Sequence, residues 1–178
     1  MDHKGFTLWL TGLPRSGKST VAGLVAGRLR AAGVDQIEVL DGDIVREGLC
    51  KDLGFSRADR TENIRRIAFV SKLLTRNGVA VIVAAISPYR EDRELAREEI
   101  QSFVEVWANA SVDACAERDY KGLYEKARRG EIKNLTGVND PYEEPEDADL
   151  VLDTEQDTPE ASAEQVMALL HERGFISD

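Results

Sequence analysis

The chemistry of this chain is concentrated in nine residues: Gly12-Leu13-Pro14-Arg15-Ser16-Gly17-Lys18-Ser19-Thr20. They follow the apolar run Phe6-Thr7-Leu8-Trp9-Leu10-Thr11 and open into Val21-Ala22-Gly23-Leu24-Val25. The pattern G-x-x-x-x-G-K-S therefore stands between a strand and a helix, the context of a phosphate-binding P-loop. Gly12 and Gly17 let the backbone curl so that its N–H groups converge on an anion. The helix that follows adds the positive end of its dipole. Lys18 supplies a mobile cation for the β- and γ-phosphates, and the Ser19 hydroxyl is placed to ligate Mg²⁺. A glycine-rich turn that only links strand to helix needs neither group. The whole stretch, with Leu13, Pro14, Arg15, Ser16 and Thr20, is expected to surround the phosphates of a nucleoside triphosphate.

A second chemical centre follows. Ile37-Glu38-Val39-Leu40 reads as a strand ending at Asp41-Gly42-Asp43. An acidic pair on the strand after the P-loop suits compact kinases of small acceptors. Asp41 can orient Mg²⁺ or take the acceptor hydroxyl's proton, with arginines holding the acceptor's anionic groups. The competing reading of Asp41-Gly42-Asp43 is an ordinary strand-end turn. The Asn-Lys-x-Asp element that reads guanine in GTP-dependent switches does not occur in the sequence.

The elements that must position these groups alternate helix with strand, which implies a parallel sheet with helices on both faces. Ligands in such sheets sit at the carboxyl ends of the strands, which brings Asp41 and Asp43 beside the P-loop. The first helix is expected to stop near Gly33, and another to run from Ser56 to Asn77. Residues 79–86 form the most apolar run and read as a central strand buried on both faces. Ser87-Pro88-Tyr89-Arg90 closes it on the ligand side. A charged helix to about Gln101, a strand at Phe103–Trp107 and a short helix from Val112 to Arg118 follow. Residues 119–147 change character: a basic stretch, then Gly137, Pro141 and Pro145, which reads as a lid over the phosphates. A solvated charged helix is the alternative for that segment. Leu150-Val151-Leu152 is a last strand, and Thr158-Pro159-Glu160 caps a last helix that buries Val166, Leu169 and Leu170. The expected architecture is thus an α/β P-loop NTPase-type fold, one domain over residues 1–178 with a mobile lid at about 119–147.

Bulk properties bound the partners. A net charge of −10 argues against nucleic acid or an anionic membrane surface. Arg57, Arg60, Arg65 and Arg66 nevertheless cluster, with Arg90 and Arg93 further on, as a pocket for an anionic small molecule requires, although Arg65 and Arg66 also suit a solvated helix face. Cys50 and Cys115 are too few for a disulfide framework and read as reduced thiols. Met1–Gly5 carries no apolar signal segment, and no apolar run has the length to span a bilayer, so a cytoplasmic protein is expected.

Several stretches together resemble the adenylyl-sulfate (APS) kinase family. They are Leu40-Asp41-Gly42-Asp43-Ile44-Val45-Arg46, Asp52-Leu53-Gly54-Phe55-Ser56, Ala58-Asp59-Arg60, Glu62-Asn63-Ile64-Arg65-Arg66, Ile86-Ser87-Pro88-Tyr89-Arg90, Lys121-Gly122-Leu123-Tyr124 and Gly130-Glu131-Ile132-Lys133-Asn134. The resemblance covers nearly the whole chain. It implies the Mg²⁺-dependent reaction of ATP with adenylyl sulfate to give ADP and 3′-phosphoadenylyl sulfate, in a homodimer that works with an ATP sulfurylase. It also implies roles. Asp41, supported by Asp43, would serve the 3′-hydroxyl as base or Mg²⁺-orienting acid. Arg46, Arg60 and Asn63 would hold the acceptor's phosphosulfate and ribose. Phe55, otherwise by default a core residue, would stack on its adenine, and Ile86 and Ser87 would contact it from the strand-end loop. Lys121, Asn134 and Leu135 would close over it, and Arg118 would pack on the ATP adenine. Ser87 matches the serine that the family's bacterial members are described as phosphorylating; direct in-line transfer is the more economical reading.

Three positions depart from the family pattern. Ile44 stands where Asn is usual, Leu135 where many members have Phe, and Pro14-Arg15 where small residues are common. Base–aromatic stacking is worth about 1–3 kcal/mol, so Leu135 could weaken acceptor affinity roughly 5- to 150-fold. These departures leave two other readings: a kinase of the same architecture with a different nucleotide-like acceptor, and a silent ATP-binding regulatory domain.

Overall fold

Buried strand segments and amphipathic helical ones alternate to form three layers in the computed structural model, which describes residues 4–177. The strands are β1 (Phe6–Thr11), β2 (Ile37–Asp41), β3 (Ala80–Ala84), β4 (Phe103–Asn109) and β5 (Leu150–Asp153). They pair in parallel in the order β2-β3-β1-β4-β5. The helices are α1 (Lys18–Ala31), α2 (Gly42–Glu47), α3 (Arg57–Arg76), α4 (Arg90–Glu99), α5 (Val112–Glu117), α6 (Leu123–Arg128) and α7 (Pro159–Glu172).

β1 shows how the strand period divides the layers. Phe6, Leu8 and Leu10 face α1 and α7, where they meet Val25, Leu29, Val166 and Leu170. Trp9 faces the other side and joins Ile64 and Ile67 of α3, with its ring 5.7 Å from that of Phe103. Each fully buried side chain of this size contributes roughly 1.5–3 kcal/mol. β3 is buried at all five positions, as its composition requires, and lies inside the sheet between β2 and β1. β1 itself holds the middle.

The long elements fall where periodicity places them, and α7 begins as expected, with Thr158 Oγ1 accepting the Ala161 N–H at 3.2 Å. One six-residue helix does not. Asp41-Gly42-Asp43 is not a plain strand-end turn: Asp41 Oδ1 accepts the Asp43 N–H at 3.0 Å and caps α2. α6 opens the basic segment, which then runs to residue 147 without a further helix. A third, smaller apolar cluster lies under that segment, built from Leu13, Ala110, Cys115 and Tyr124 with Leu135, Val138 and Tyr142 against it. No described helix is long and apolar enough to cross a membrane.

Candidate active site

The phosphate loop leaves β1 through a left-handed Gly12, φ 150°, where a Cβ would stand 2.5 Å from the Ala108 carbonyl. Gly17, φ 99°, ends the loop, and no side chain caps α1. The first-turn N–H groups of α1 are therefore left to an anion. Lys18 Nζ donates to the carbonyls of Gly12 at 3.0 Å and Leu13 at 2.7 Å. Burial pushes this ammonium down to about 8, against the opposing pull of Cys115, Asp41 and Asp43. Pro14, Arg15, Gly17, Lys18, Ser19 and Thr20 line one large cavity of about 910 Å³. Gly12, Leu13 and Ser16 do not line it. Leu13 turns its apolar side chain into the small cluster under the basic segment, and Gly12 and Ser16 are buried behind the loop.

The Ser19 hydroxyl donates to Asp41 Oδ2 at 2.5 Å, which joins the start of α1 to the end of β2. Asp41 thus has both oxygens engaged, one by Ser19 and one by the Asp43 amide. A hydroxyl and a carboxylate in contact are two hard oxygen donors. That set fits Mg²⁺, which takes one or two protein ligands and completes its shell with phosphate and water. Among the described residues no group of three or more His, Cys, Asp or Glu is gathered for a metal.

The same cavity is lined by Asp43, Arg46, Phe55, Arg60, Asn63, Ile86, Ser87, Lys121, Asn134 and Leu135. Phe55 is 55 % exposed and not in the core; the Arg46 and Arg60 guanidinium carbons lie 4.5 and 5.6 Å from its ring centroid. Arg46 also donates to the Gly54 carbonyl at 2.8 Å. Arg60 is buried and tied to the protein: Nε donates to the Phe55 carbonyl at 3.2 Å, Nη2 to the Asn134 carbonyl at 2.6 Å, and Asp140 lies 3.4 Å away. Asn63 Oδ1 is buried with no hydrogen-bond partner, a polar atom that a ligand can satisfy. Ser87 sits at φ 48° and is 1 % exposed, its Oγ accepting the Trp9 indole N–H at 2.9 Å. Arg65 and Arg66 are the helix-face residues their pattern allows. Both pair with Glu62, at 2.6 and 2.8 Å, and their hydrogen bonds hold its carboxyl down at about 2. Ile44 is 67 % exposed and outside the cavity lining, because α2 turns that side chain to solvent. Leu135 does line the cavity, half-buried against the Leu13 cluster.

Arg118 also lines the cavity, its Nη2 donating to the Thr154 carbonyl at 2.5 Å. Sequence reasoning missed its neighbours Thr154, Glu155, Asp157, Pro159 and Ser162. The signal was available: all follow the carboxyl end of β5, where parallel sheets bind ligands. Ser162 Oγ is buried and without a hydrogen-bond partner there. Leu123, Ile132 and Lys133 complete the lining from the basic segment.

Comparison with known proteins accords with this geometry. A family model described as adenylylsulphate kinase matches residues 4–153. The chain is 55 % identical over 177 residues to an adenylyl-sulfate kinase of Picosynechococcus, covering 99 % of each chain. It is 51 % identical over 176 residues to one of Halothermothrix orenii, covering 99 % of this chain and 95 % of the other. The structure of an APS kinase of Mycobacterium tuberculosis in complex with AMPPNP and APS superposes with a TM-score of 0.89 at 45 % identity, over 96 % of this chain and 99 % of that one. With the phosphate loop and the Ser19–Asp41 pair lining one cavity, and with these relatives, the chain belongs to the adenylylsulphate kinase family.

Proposed function

We propose that this chain transfers the γ-phosphate of ATP to the 3′-hydroxyl of adenylyl sulfate, giving ADP and 3′-phosphoadenylyl sulfate. The observation that carries the reading is the Ser19–Asp41 contact within one cavity that is lined both by the phosphate loop and by the Arg46–Phe55–Arg60 group. The loop amides and Lys18 would hold the β- and γ-phosphates, and the base of ATP would lie toward Arg118, Thr154 and Ser162. Adenylyl sulfate would enter from the other side, its adenine on Phe55 and its anionic groups near Arg46, with Asn63 Oδ1 taking a donor.

Ser19 and Asp41 would hold Mg²⁺, which when bound neutralises charge on the transferring phosphoryl group. Asp41, fixed from both sides, orients the acceptor hydroxyl, and Asp43 stands beside it as a second carboxylate. Ser87 is buried with its Oγ accepting from Trp9, which suits a place in the frame, and direct in-line transfer is the more economical route. Arg60 shapes the acceptor end by holding the Phe55 loop and Asn134. Residues 119–147 act as the lid of a single kinase domain, with Lys121 and Lys133 over the acceptor.

The family resemblance supports a homodimer in the cytoplasm that works with an ATP sulfurylase, and the two buried free thiols suit a reducing compartment. Sedimentation measures the first of these. The activity is tested by coupled ADP release with Mg·ATP, with and without adenylyl sulfate, in the wild type and in Asp41→Ala. Acceptor-dependent turnover that vanishes in the variant is expected. ATP binding without turnover on adenylyl sulfate would sink the reading.

A further inference from the structure

The phosphate loop carries an arginine at a position where the backbone is left-handed. Arg15 has φ 67°, a conformation that L side chains rarely adopt and that persists only where surrounding contacts over-determine it. The side chain leaves the loop toward residues 119–124, the turn that joins α5 to α6. Its Nε lies 3.5 Å from Asp119 Oδ1, and its guanidinium carbon lies 4.4 Å from the centroid of the Tyr120 ring. The next residue back makes a second tie, with the Tyr124 hydroxyl donating to the Pro14 carbonyl at 2.7 Å.

Asp119 is the node of this contact. Its carboxylate side chain is 1 % exposed, accepts the Lys121 N–H at 3.2 Å and the Tyr124 N–H at 2.9 Å, and so shapes the turn. A buried carboxylate needs a counter-charge, and Arg15 supplies it. Burial pushes this carboxyl up, but the amides of Tyr124, Lys121 and Leu123 and the charge of Arg15 outweigh that and hold it below its ordinary value. Tyr120 is 80 % exposed, and its ring meets two cations, the Arg15 guanidinium at 4.4 Å and the Lys121 ammonium at 5.8 Å from the centroid. Lys121, the residue between the stacked ring and α6, lines the same cavity as the phosphate loop.

We propose that Arg15 is a positioning residue, which fixes the turn carrying Lys121 against the phosphate loop. Nucleotide loading of the loop and closure over the acceptor are thereby mechanically joined: the residue whose amide belongs to the loop is also the counter-ion of the turn. The assignment of Lys121 to the acceptor rests on the function proposed above; the Arg15–Asp119–Tyr120 contact does not. It differs from a phosphate-binding role, in which the guanidinium would serve ATP directly.

The test compares wild type, Arg15→Met, Asp119→Asn and the double variant. Readouts are KM for adenylyl sulfate, kcat, affinity for the non-hydrolysable ATP analogue AMPPNP, and the rate of limited trypsin cleavage between Lys121 and Lys133. Arg15→Met is expected to raise KM for adenylyl sulfate and the cleavage rate by roughly tenfold each, the size of a partly buried ion pair with a stacked cation. AMPPNP affinity should stay within about threefold, and the double variant should be no worse than the poorer single one. Arg15→Lys keeps the charge beside Asp119 and provides a second, milder variant if the methionine form folds poorly; it should show the same pattern at about threefold. AMPPNP affinity that falls in step with turnover would overturn the proposal in favour of a phosphate ligand. Unchanged KM and cleavage, or additive losses in the double variant, would overturn it as well. If the wild type does not turn over adenylyl sulfate, the functional reading fails, while the cleavage rates of the same variants still decide whether Arg15 holds the turn.

Discussion

The indole N–H of Trp9 reaches across the sheet from β1 to the hydroxyl of Ser87, 2.9 Å away and just beyond the end of β3. The hydroxyl that matches the family's phosphorylated serine is engaged by this internal hydrogen bond. Incubation with γ-labelled ATP in the absence of acceptor should leave no acid-stable phosphate on the protein. Ser87→Ala should lower stability by about 1–3 kcal/mol, because it strands a buried indole donor. Peptide mapping that finds phosphate on Ser87 would contradict this assignment.

Asp41 places the Ser19 hydroxyl and caps α2 with the same carboxylate. Asp41→Asn keeps the shape and removes the charge. The expected outcome is a fall in kcat by roughly 10²–10⁴ with AMPPNP affinity retained to within about tenfold. Coupled ADP release and calorimetry check the two halves separately; full activity in this variant would remove Asp41 from the chemistry.

Lys18 has its ammonium pushed by burial from 10.5 down to about 8. The unfolded chain keeps this proton to higher pH than the folded one. The buried cation therefore weakens the fold fully below about pH 8, and this penalty is relieved as pH rises toward the unfolded value. Lys18→Met should accordingly be more stable than wild type near neutrality, and the difference should shrink in alkaline solution. Phosphate binding has the opposite trend, since it needs the cation. AMPPNP affinity should fall roughly tenfold between about pH 7 and about pH 9, and Lys18→Arg should remove that step.

Phe55 offers an exposed ring held between two guanidinium groups. Phe55→Ala should raise KM for adenylyl sulfate roughly 5- to 150-fold with little change in melting temperature. Leu135→Phe adds a second aromatic face to the same end and should lower that KM by up to about fivefold. Equal effects on the KM for ATP in either variant would place the ring at the wrong end of the cavity.

A buried ion pair anchors the frame behind the acceptor end. Arg93 Nε lies 2.8 Å from Glu105 Oε1, and its two terminal nitrogens donate to the carbonyls of Ser87 and Glu143, both at 2.6 Å. Arg93→Met leaves Glu105 with the more exposed Arg97 and opens both carbonyls. Urea unfolding should show a loss of about 3–5 kcal/mol. A loss under about 1 kcal/mol would mean that Arg97 alone satisfies Glu105.

Much of this was legible in the residues. The phosphate loop carries its own context, and runs such as Val81-Ile82-Val83 have no stable place except inside a parallel sheet. α2 was not legible, because its opening residues Asp41-Gly42-Asp43 read equally well as a strand-end turn. Arg93 reads as one of the arginines of an anion pocket, but the structure buries it against Glu105 and outside the cavity lining. It sits in a charged helix, and only its distant partner Glu105 explains its burial. Ile44 was misjudged because adjacency in sequence to Asp43 says nothing of which way a helical side chain points. Thr154 to Ser162 were passed over because their chemistry is ordinary; only the position after β5 marks them.

The strand order has a consequence for how the protein is made. β1 lies in the middle of the sheet, yet β4, one of its two flanking neighbours, begins only at Phe103, and the last cavity residue is Ser162. A nascent chain carries the residues of the phosphate loop long before the segments that Gly12 packs against, through the Ile86 and Ala108 carbonyls, and before the residues that follow β5. The wall of the cavity is therefore closed late in synthesis, by the residues from Thr154 to Ser162.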